Sequence, residues 1–244
     1  MNTQLSSTLS EAASKDLLAN FDIPFARERR VKTPAEAGLA AESLGFPVVL
    51  KLSGDGIAHK TERGLVKVGL RDALAVEAGA EALLAMARPE DGAVDLLVAE
   101  QVAGARELIA GLVRDAQFGP CVVVGLGGIL AEALQDVVFA AAPLTPGEAE
   151  SLVDRLGAAH ILTGPFRGEP ALDRSALAKV LLGLSRLAIE RPDVASVDLN
   201  PMILSAGRPV AVDALVELAP PVEAAALPPA RDDEAIRARF APLF

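Results

Sequence analysis

Apolar residues recur along the chain at two spacings, one typical of helices and one typical of strands. The helical stretches follow residues that commonly cap helix N-termini. In two of them a threonine is followed by proline and then by glutamate, in the order of a capping box. Helices are therefore predicted to begin after Ser10, Thr33, Asp72, Thr145 and Asp173.

Strand-like runs lie between these helices, so the chain is predicted to belong to the α/β class, and its length allows one large domain or two smaller lobes. Strands are predicted at residues 48–52, 65–70, 95–102, 107–113, 121–125, 137–142, 194–199 and 210–212. The runs 95–102 and 107–113 are separated by a short turn at Gly104, so we expect them to be neighbouring strands. Residues 160–168 are predicted to form a loop.

The polar stretch after strand 48–52 carries residues suited to phosphate chemistry. The strand delivers Lys51, and a Gly- and Ser-containing loop leads to His59 and Lys60. Lysines supply point charges, backbone amides donate hydrogen bonds, and an imidazole can act as a nucleophile near neutral pH. A surface loop with solvated side chains is the alternative that this stretch alone leaves open.

A glycine cluster follows the buried strand 121–125. It lacks the spacing of a dinucleotide-binding or Walker-type loop, so neither of these sites is predicted. Glycines that end a buried strand allow close backbone approach to phosphate, and we expect Gly127 and Gly128 to face a ligand. A tight turn is the alternative role.

Several acidic and amide side chains stand near predicted strand ends. Asn200 and Asp213 could share a hard cation such as Mg²⁺, and Asp198 points to the same face of its strand as Asn200. These three residues could equally make turns. Glu100 and Glu107 could hold ribose hydroxyls or orient an adenine amino group, or could simply be solvated.

Composition narrows the classes of partner. The net charge of −10 and a pI near 4.8 argue against nucleic-acid and anionic-membrane surfaces. The one cysteine, Cys121, excludes an internal disulfide and is expected in the core. The sequence shows neither a signal-peptide pattern nor an apolar run long enough to span a membrane, so we expect a cytoplasmic protein.

In this order, the stretches resemble the ATP-grasp (beta) subunit of the ADP-forming acyl-CoA synthetases, relatives of succinyl-CoA synthetase. They are SKDLL, DIP, PVVLK, IAHKTERG, VAEQVAGARELIAG, FGPCVVVGLGG, SVDLNPMI and AVDA. The resemblance implies an ATP-grasp fold, in which two α+β lobes clamp a nucleotide. We expect this domain over 1–218, with lobes at about 22–110 and 111–218, and a Pro/Ala-rich linker or tail over 219–244. One departure is Leu65, where the family usually has a second glycine.

Position by position, the resemblance also implies roles for individual residues. The residues expected to bind the nucleotide are Lys51 at the phosphates, Glu100, Gln101 and Val102 at adenine, and Glu107 at the ribose. Lys60, in the predicted loop, is also expected to bind the phosphates. Asn200 and Asp213 match the Mg²⁺ ligands. His59 matches the histidine that relays phosphate between the partner's acyl-CoA site and the nucleotide, and Asp198 matches an acidic residue that steadies a phosphohistidine.

The activity so implied is that of an ADP-forming acid–CoA ligase that interconverts acyl-CoA and free carboxylic acid. Its cofactors would be ATP or ADP with Mg²⁺. It would act only with a CoA-binding alpha subunit or fused domain, through which acyl-CoA, phosphate and acid are handled. The alternative is a non-catalytic nucleotide-binding regulatory module of an acetyltransferase-like protein.

Overall fold

The computed structural model describes residues 7–54, 57, 63–128 and 136–219. These residues form two compact units, which we call the seven-stranded unit and the four-stranded unit. The four-stranded unit contains residues 10–13 and 26–102, and the seven-stranded unit contains the remaining described residues. The division therefore lies at Val102, earlier than the expected boundary near residue 110. His59, Lys60 and the tail beyond residue 219 lie outside the described residues.

The described elements alternate between strands and helices. The strands are β1 (Ser7–Thr8), β2 (Glu28–Val31), β3 (Val48–Gly54), β4 (Val66–Leu70), β5 (Val94–Glu100), β6 (Glu107–Asp115), β7 (Gly119–Leu126), β8 (Val137–Ala141), β9 (Val194–Ser205), β10 (Arg208–Ala211) and β11 (Leu215–Leu218). The helices are α1 (Glu11–Ala19), α2 (Pro34–Leu44), α3 (Ala73–Ala85), α4 (Pro146–Ser151), α5 (Ala159–Thr163) and α6 (Arg174–Glu190), with short 3₁₀ turns at Pro89–Asp91 and Leu152–Arg155.

The predicted helix starts are confirmed by the hydrogen bonds of their capping side chains. Thr33 and Thr145 both form capping boxes, each with the glutamate three residues later. Asp72 and Asp173 accept hydrogen bonds from the amides of the third residue after them, and the Ser10 hydroxyl accepts one from the Ala13 amide at 3.4 Å. These local contacts satisfy backbone donors that would otherwise have no partner.

Three strand and loop predictions are wrong. Strands β5 and β6 belong to different sheets, because the segment around Gly104 carries the chain from one unit to the other and makes no hairpin. Strand β9 continues through Asn200 to Ser205, since both of its neighbours supply backbone partners there. Part of the predicted loop 160–168 is the short helix α5, which buries Leu162 completely.

The four-stranded unit is an antiparallel sheet in the order β2-β5-β3-β4, with α2 and α3 packed on it. Strand β3 lies inside this sheet, between β5 and β4, and its apolar residues Val48, Leu50 and Leu52 are fully buried. Lys51 therefore projects from the middle of a sheet rather than from its edge.

The seven-stranded unit has the strand order β1-β11-β9-β6-β7-β8, with β10 added beside β9, and its strand pairs are antiparallel. One face of β6 places Leu108, Ala110 and Leu112 in a core with the apolar stripe of α6. The other face carries Ile109 in a smaller apolar cluster that includes the buried Cys121, as the sequence predicted. Among the described helices, none combines the length and apolarity needed to cross a membrane.

A bidentate ion pair joins the residue just after the undescribed segment 58–62 to the four-stranded unit. Arg63 donates from both terminal nitrogens to the Asp91 carboxylate, at 2.7 and 2.9 Å. Asp91 is fully buried and also accepts a hydrogen bond from the Arg88 amide. Paired geometry of this kind is rigid and orients both groups.

We predict that Asp91→Asn flattens the acid limb of the stability curve. The hydrogen bond from Arg63 outweighs desolvation and holds the pKa of Asp91 at about 2, whereas an unfolded aspartate titrates near ~3.9. Because the folded pKa is the lower one, the contribution is complete above about pH 4 and is lost as the pH falls towards about 2. Urea unfolding at several pH values should show a steeper acid loss for the wild type than for the variant. Parallel pH profiles would contradict this prediction.

Candidate functional site

The described candidate residues fall into both units. The four-stranded unit contains Lys51, Glu100, Gln101 and Val102, and the seven-stranded unit contains Glu107, Gly127, Gly128, Asp198, Asn200 and Asp213.

Lys51 is buried and forms an ion pair inside the four-stranded unit. Its ammonium group lies 2.7 Å from Oε1 of Glu11, a residue in the first turn of α1, and the two side chains are 8% and 0% exposed. Glu11 is thus a charged partner that our sequence reasoning did not identify. A Glu directly after a serine cap was the available signal, but it is ordinarily read as a helix-start residue.

Glu100 and Gln101 hold the end of β5 in place. Arg27 donates to both carboxylate oxygens of Glu100, from its amide at 2.9 Å and from Nε at 2.7 Å. Partial burial alone would raise the pKa of Glu100, but these hydrogen bonds prevail and lower it. The Gln101 side-chain oxygen accepts a hydrogen bond from the Gly69 amide at 2.8 Å. The side chains of both residues therefore have structural partners, and Val102 after them is partly buried.

Glu107, Gly127 and Gly128 come together, although 19 residues separate Glu107 from the first glycine. They line a cavity of about 270 Å³ within the seven-stranded unit. The other lining residues are Ala105, Arg106, Leu126, Ile161, Leu162 and Phe166. One carboxylate in a largely apolar cavity suits a ligand that has both a flat apolar part and hydroxyl groups.

The two glycines are required by the close approach of β7 to the start of β6. The Gly127 amide donates to the Glu107 carbonyl at 2.8 Å, and a Cβ on Gly127 would lie 2.9 Å from the Leu108 backbone. Gly128 has φ +72°, and its Cβ would lie 3.1 Å from a Glu107 carboxylate oxygen. A close turn, which was the alternative role, and the lining of a cavity therefore occur at the same two positions, and contact with a ligand stays a prediction.

Asp198 and Asn200 lie on one face of β9. Asp198 pairs with Gly111 of β6 on one side and with Leu215 of β11 on the other. Desolvation, followed by the nearby charge of Asp213, raises the pKa of Asp198 to about 6. The residue nevertheless keeps a solvent-exposed side, where it borders a second hollow of about 180 Å³.

Asp213 lies in the link between β10 and β11. The strand on one side of this link pairs Ala211 with Met202, and the strand on the other side pairs Leu215 with Asp198. This register places the link alongside Asn200. Amide and carboxylate oxygens with accumulated negative charge fit a hard divalent cation. Within the described residues, no group of three or more His, Cys, Asp or Glu side chains could hold a metal.

Arg106 is the second residue that our sequence reasoning missed. It is 4% exposed, lines the Glu107 cavity and pairs with Glu169 at 3.0 Å. An arginine directly before a buried strand was the only sequence signal. Its partner is 63 positions away, which no local pattern can reveal.

Comparisons with known proteins agree on one family. The ATP-grasp domain model matches residues 2–218. The beta subunit of ADP-forming acetate–CoA ligase I from Pyrococcus furiosus is 32% identical over 84% of this chain and 90% of its own length. The ADP-forming acetate–CoA ligase I of Archaeoglobus fulgidus is 41% identical over 68% of this chain, which corresponds to 24% of that longer protein.

Solved structures of a dinucleotide-forming acetyl-coenzyme A synthetase 1 from Ca. Korarchaeum cryptofilum are also similar. One, with coenzyme A and Ca-AMPCP, has a TM-score of 0.81 and 35% identity, covering 87% of this chain and 94% of that chain. Another contains coenzyme A and Mg-AMPPCP, with a phosphohistidine segment pointing towards the nucleotide binding site. It has a TM-score of 0.74 and 36% identity, covering 87% of this chain and 93% of that one.

We predict that Glu11→Gln destabilises the four-stranded unit by about 3 kcal/mol, because it removes the carboxylate that neutralises a buried ammonium. Arg30→Gln is the matched control: it breaks the Arg30–Asp95 pair of the same unit, in which the arginine side chain is 57% exposed. That change should cost about 1 kcal/mol or less. Urea unfolding followed by circular dichroism measures both. Equal losses would contradict the prediction.

Proposed function

The chain belongs to the ATP-grasp domain family, and from that membership we propose that it is the nucleotide-binding part of an ADP-forming acyl-CoA synthetase. The reaction is acyl-CoA + ADP + phosphate ⇌ carboxylic acid + CoA + ATP. The main support is the similarity to the Korarchaeum synthetase with bound nucleotide analogues, which covers 87% of this chain. The longer relatives support a role for further domains or subunits in the complete reaction.

Glu107 is proposed to bind the ribose. A carboxylate accepts hydrogen bonds from paired hydroxyl groups, and the apolar side chains around it suit the nucleoside better than the charged phosphates. Backbone groups of Gly127 and Gly128 would approach the ligand closely, because neither residue has a side chain. Glu100, Gln101 and Val102 are proposed to contact adenine chiefly through their backbone, since Arg27 and Gly69 already engage the first two side chains.

Lys51 is proposed to bind the nucleotide phosphates, together with Lys60, which follows nine positions later in the sequence. Because Lys51 is already paired with Glu11, a bound phosphate would share the Lys51 ammonium group with the Glu11 carboxylate. Asn200 and Asp213 would hold Mg²⁺, which when bound neutralises phosphate charge during transfer. The residues themselves provide oxygen ligands in the register described above.

His59 is proposed to carry the phosphoryl group. An imidazole nitrogen would attack the γ-phosphorus of ATP, the bond from that phosphorus to the bridging oxygen would break, and ADP would leave. The reverse step regenerates ATP. Asp198 is proposed to steady a phosphohistidine, as a carboxylate that is mostly ionised at neutral pH even with its pKa raised to about 6.

A CoA-binding alpha subunit or fused domain would supply the acyl-CoA, the phosphate and the carboxylic acid. This part of the proposal rests on the named beta subunits and longer ligases among the relatives. We also propose cytoplasmic residence, supported by the single buried cysteine, which fits a reducing compartment.

We predict that incubation of the chain with γ-³²P-labelled ATP and Mg²⁺ produces an acid-labile, base-stable label, and that His59→Ala abolishes it. Nucleotide affinity should stay within a few-fold, because a phosphoryl carrier acts in transfer rather than in ground-state binding. His160→Ala is the control, since this exposed residue of α5 should keep the label. Nucleotide binding without any label would favour the regulatory module, and equal loss in both variants would contradict the assignment of His59.

We predict that Asp213→Asn weakens ADP binding at least tenfold in the presence of Mg²⁺ and changes it little in the presence of a chelator. The carboxylate that binds the cation would be lost, while the amide keeps the size of the side chain. Asp154→Asn serves as control, because Asp154 is an exposed carboxylate of the same unit that pairs with Arg174. Calorimetric titrations measure both conditions. A variant that retains the full Mg²⁺ effect would contradict the metal assignment.

A further inference from the structure

Arg106 is a buried cation directly before β6, and its side chain bonds to described residues of the seven-stranded unit. Its side chain is 3% exposed, and Nε donates to Oε2 of Glu169 at 3.0 Å. The other carboxylate oxygen of Glu169 accepts the Ala105 amide at 2.6 Å. These hydrogen bonds, led by the one from Ala105, lower the pKa of Glu169, so its carboxylate stays ionised at neutral pH.

The remaining guanidinium donors of Arg106 bind backbone carbonyls of α5 and of the residues that follow it. One terminal nitrogen donates to the carbonyls of Ile161, Leu162 and Gly164, and the other donates to the Pro170 carbonyl. The Arg106 side chain therefore holds the end of α5 and the segment that follows it together through hydrogen bonds. Backbone carbonyls that are withdrawn from water need partners, and here one side chain is the partner of four carbonyls, of which the contact with Leu162 is buried and the other three are partly buried.

This segment, residues 161–170, contributes one wall of the cavity that contains Glu107. Ile161, Leu162 and Phe166 line that wall. Glu169 continues the connection, because its backbone exchanges hydrogen bonds with that of Phe166 at 2.9 and 3.1 Å. Hydrogen bonds thus connect the Arg106 guanidinium, through Glu169, to the backbone of Phe166.

We infer that Arg106, together with Glu169, is a positioning residue. It holds residues 161–170 in place as one wall of the Glu107 cavity and so sets the affinity of this cavity for a nucleoside diphosphate. This inference rests on the proposed function of that cavity. Lysine cannot replace arginine here, because a single ammonium cannot reproduce the planar fork that bonds a carboxylate and several carbonyls together.

The same strand offers a matched control near its other end. Arg114 also binds backbone carbonyls, donating to those of Ala188 in α6, of Arg191 just after it and of Val194 in β9 at 2.6 to 2.9 Å. Eight residues of extended chain place it about 26 Å from Arg106, and it does not line the Glu107 cavity. Arg114→Lys therefore removes comparable backbone contacts without touching the cavity wall.

The test measures ADP affinity of the full chain by calorimetry for wild type, Arg106→Lys and Arg114→Lys, at a temperature at which circular dichroism shows all three to be folded. Hydrogen exchange of residues 161–170 is followed in parallel. We expect Arg106→Lys to lose ADP affinity at least tenfold and to exchange faster in this segment. Arg114→Lys should bind within twofold of wild type, with unchanged exchange there.

Wild-type affinity in Arg106→Lys would overturn the inference, as would equal losses in the two variants. If Arg106→Lys does not fold, Glu169→Gln replaces it; this change removes the charge of the partner but keeps its size and one acceptor. Unaltered ADP affinity in Glu169→Gln would likewise overturn the inference. A wild-type chain that binds no nucleotide would overturn the proposed function and this inference with it, so the two failures are distinguishable.

Discussion

The alternation of side chains along β6 and β9 is the constraint that organises the seven-stranded unit. Leu108, Ala110 and Leu112 must face the core formed with α6, so Glu107 and Gly111 face the other way. In β9, Val197 and Leu199 lie in the same core, which leaves Asp198 and Asn200 on the opposite face. A shift of one residue in either strand would bury these polar groups and expose the apolar ones. The candidate site thus depends on the register that the hydrophobic core imposes.

Buried charged side chains, each paired with an opposite charge, also constrain the structure. Arg106, Lys51 and Asp91 are each almost inaccessible to water, and each has an oppositely charged partner within its own unit. A buried charge is costly without such a partner, so these contacts restrict which conformations the attached segments can adopt. In the case of Arg106 the restricted segment is a wall of the Glu107 cavity.

At the glycines of the candidate site, close backbone packing and the shape of the cavity depend on the same residues. The Leu108 backbone leaves no room for a side chain at position 127, so glycine is required there. The lack of a side chain also leaves space for the cavity beside Glu107. The membership in the ATP-grasp family gives this cavity a proposed ligand. Its shape, however, follows from the approach of two strands and from the arginine fork that holds the opposite wall.

The sequence by itself determined the helix starts, most of the strands and the family, because caps, hydrophobic periods and short motifs are local properties of the chain. It also identified Glu107, Gly127 and Gly128 as candidates that prove to line one cavity. It could not determine that β5 and β6 belong to different sheets, since two apolar runs joined by a turn have the same pattern in a hairpin and in a crossing between units. Nor could it find Glu11 beside Lys51 or Glu169 beside Arg106, because those partners lie 40 and 63 positions apart and only tertiary folding brings their charges together.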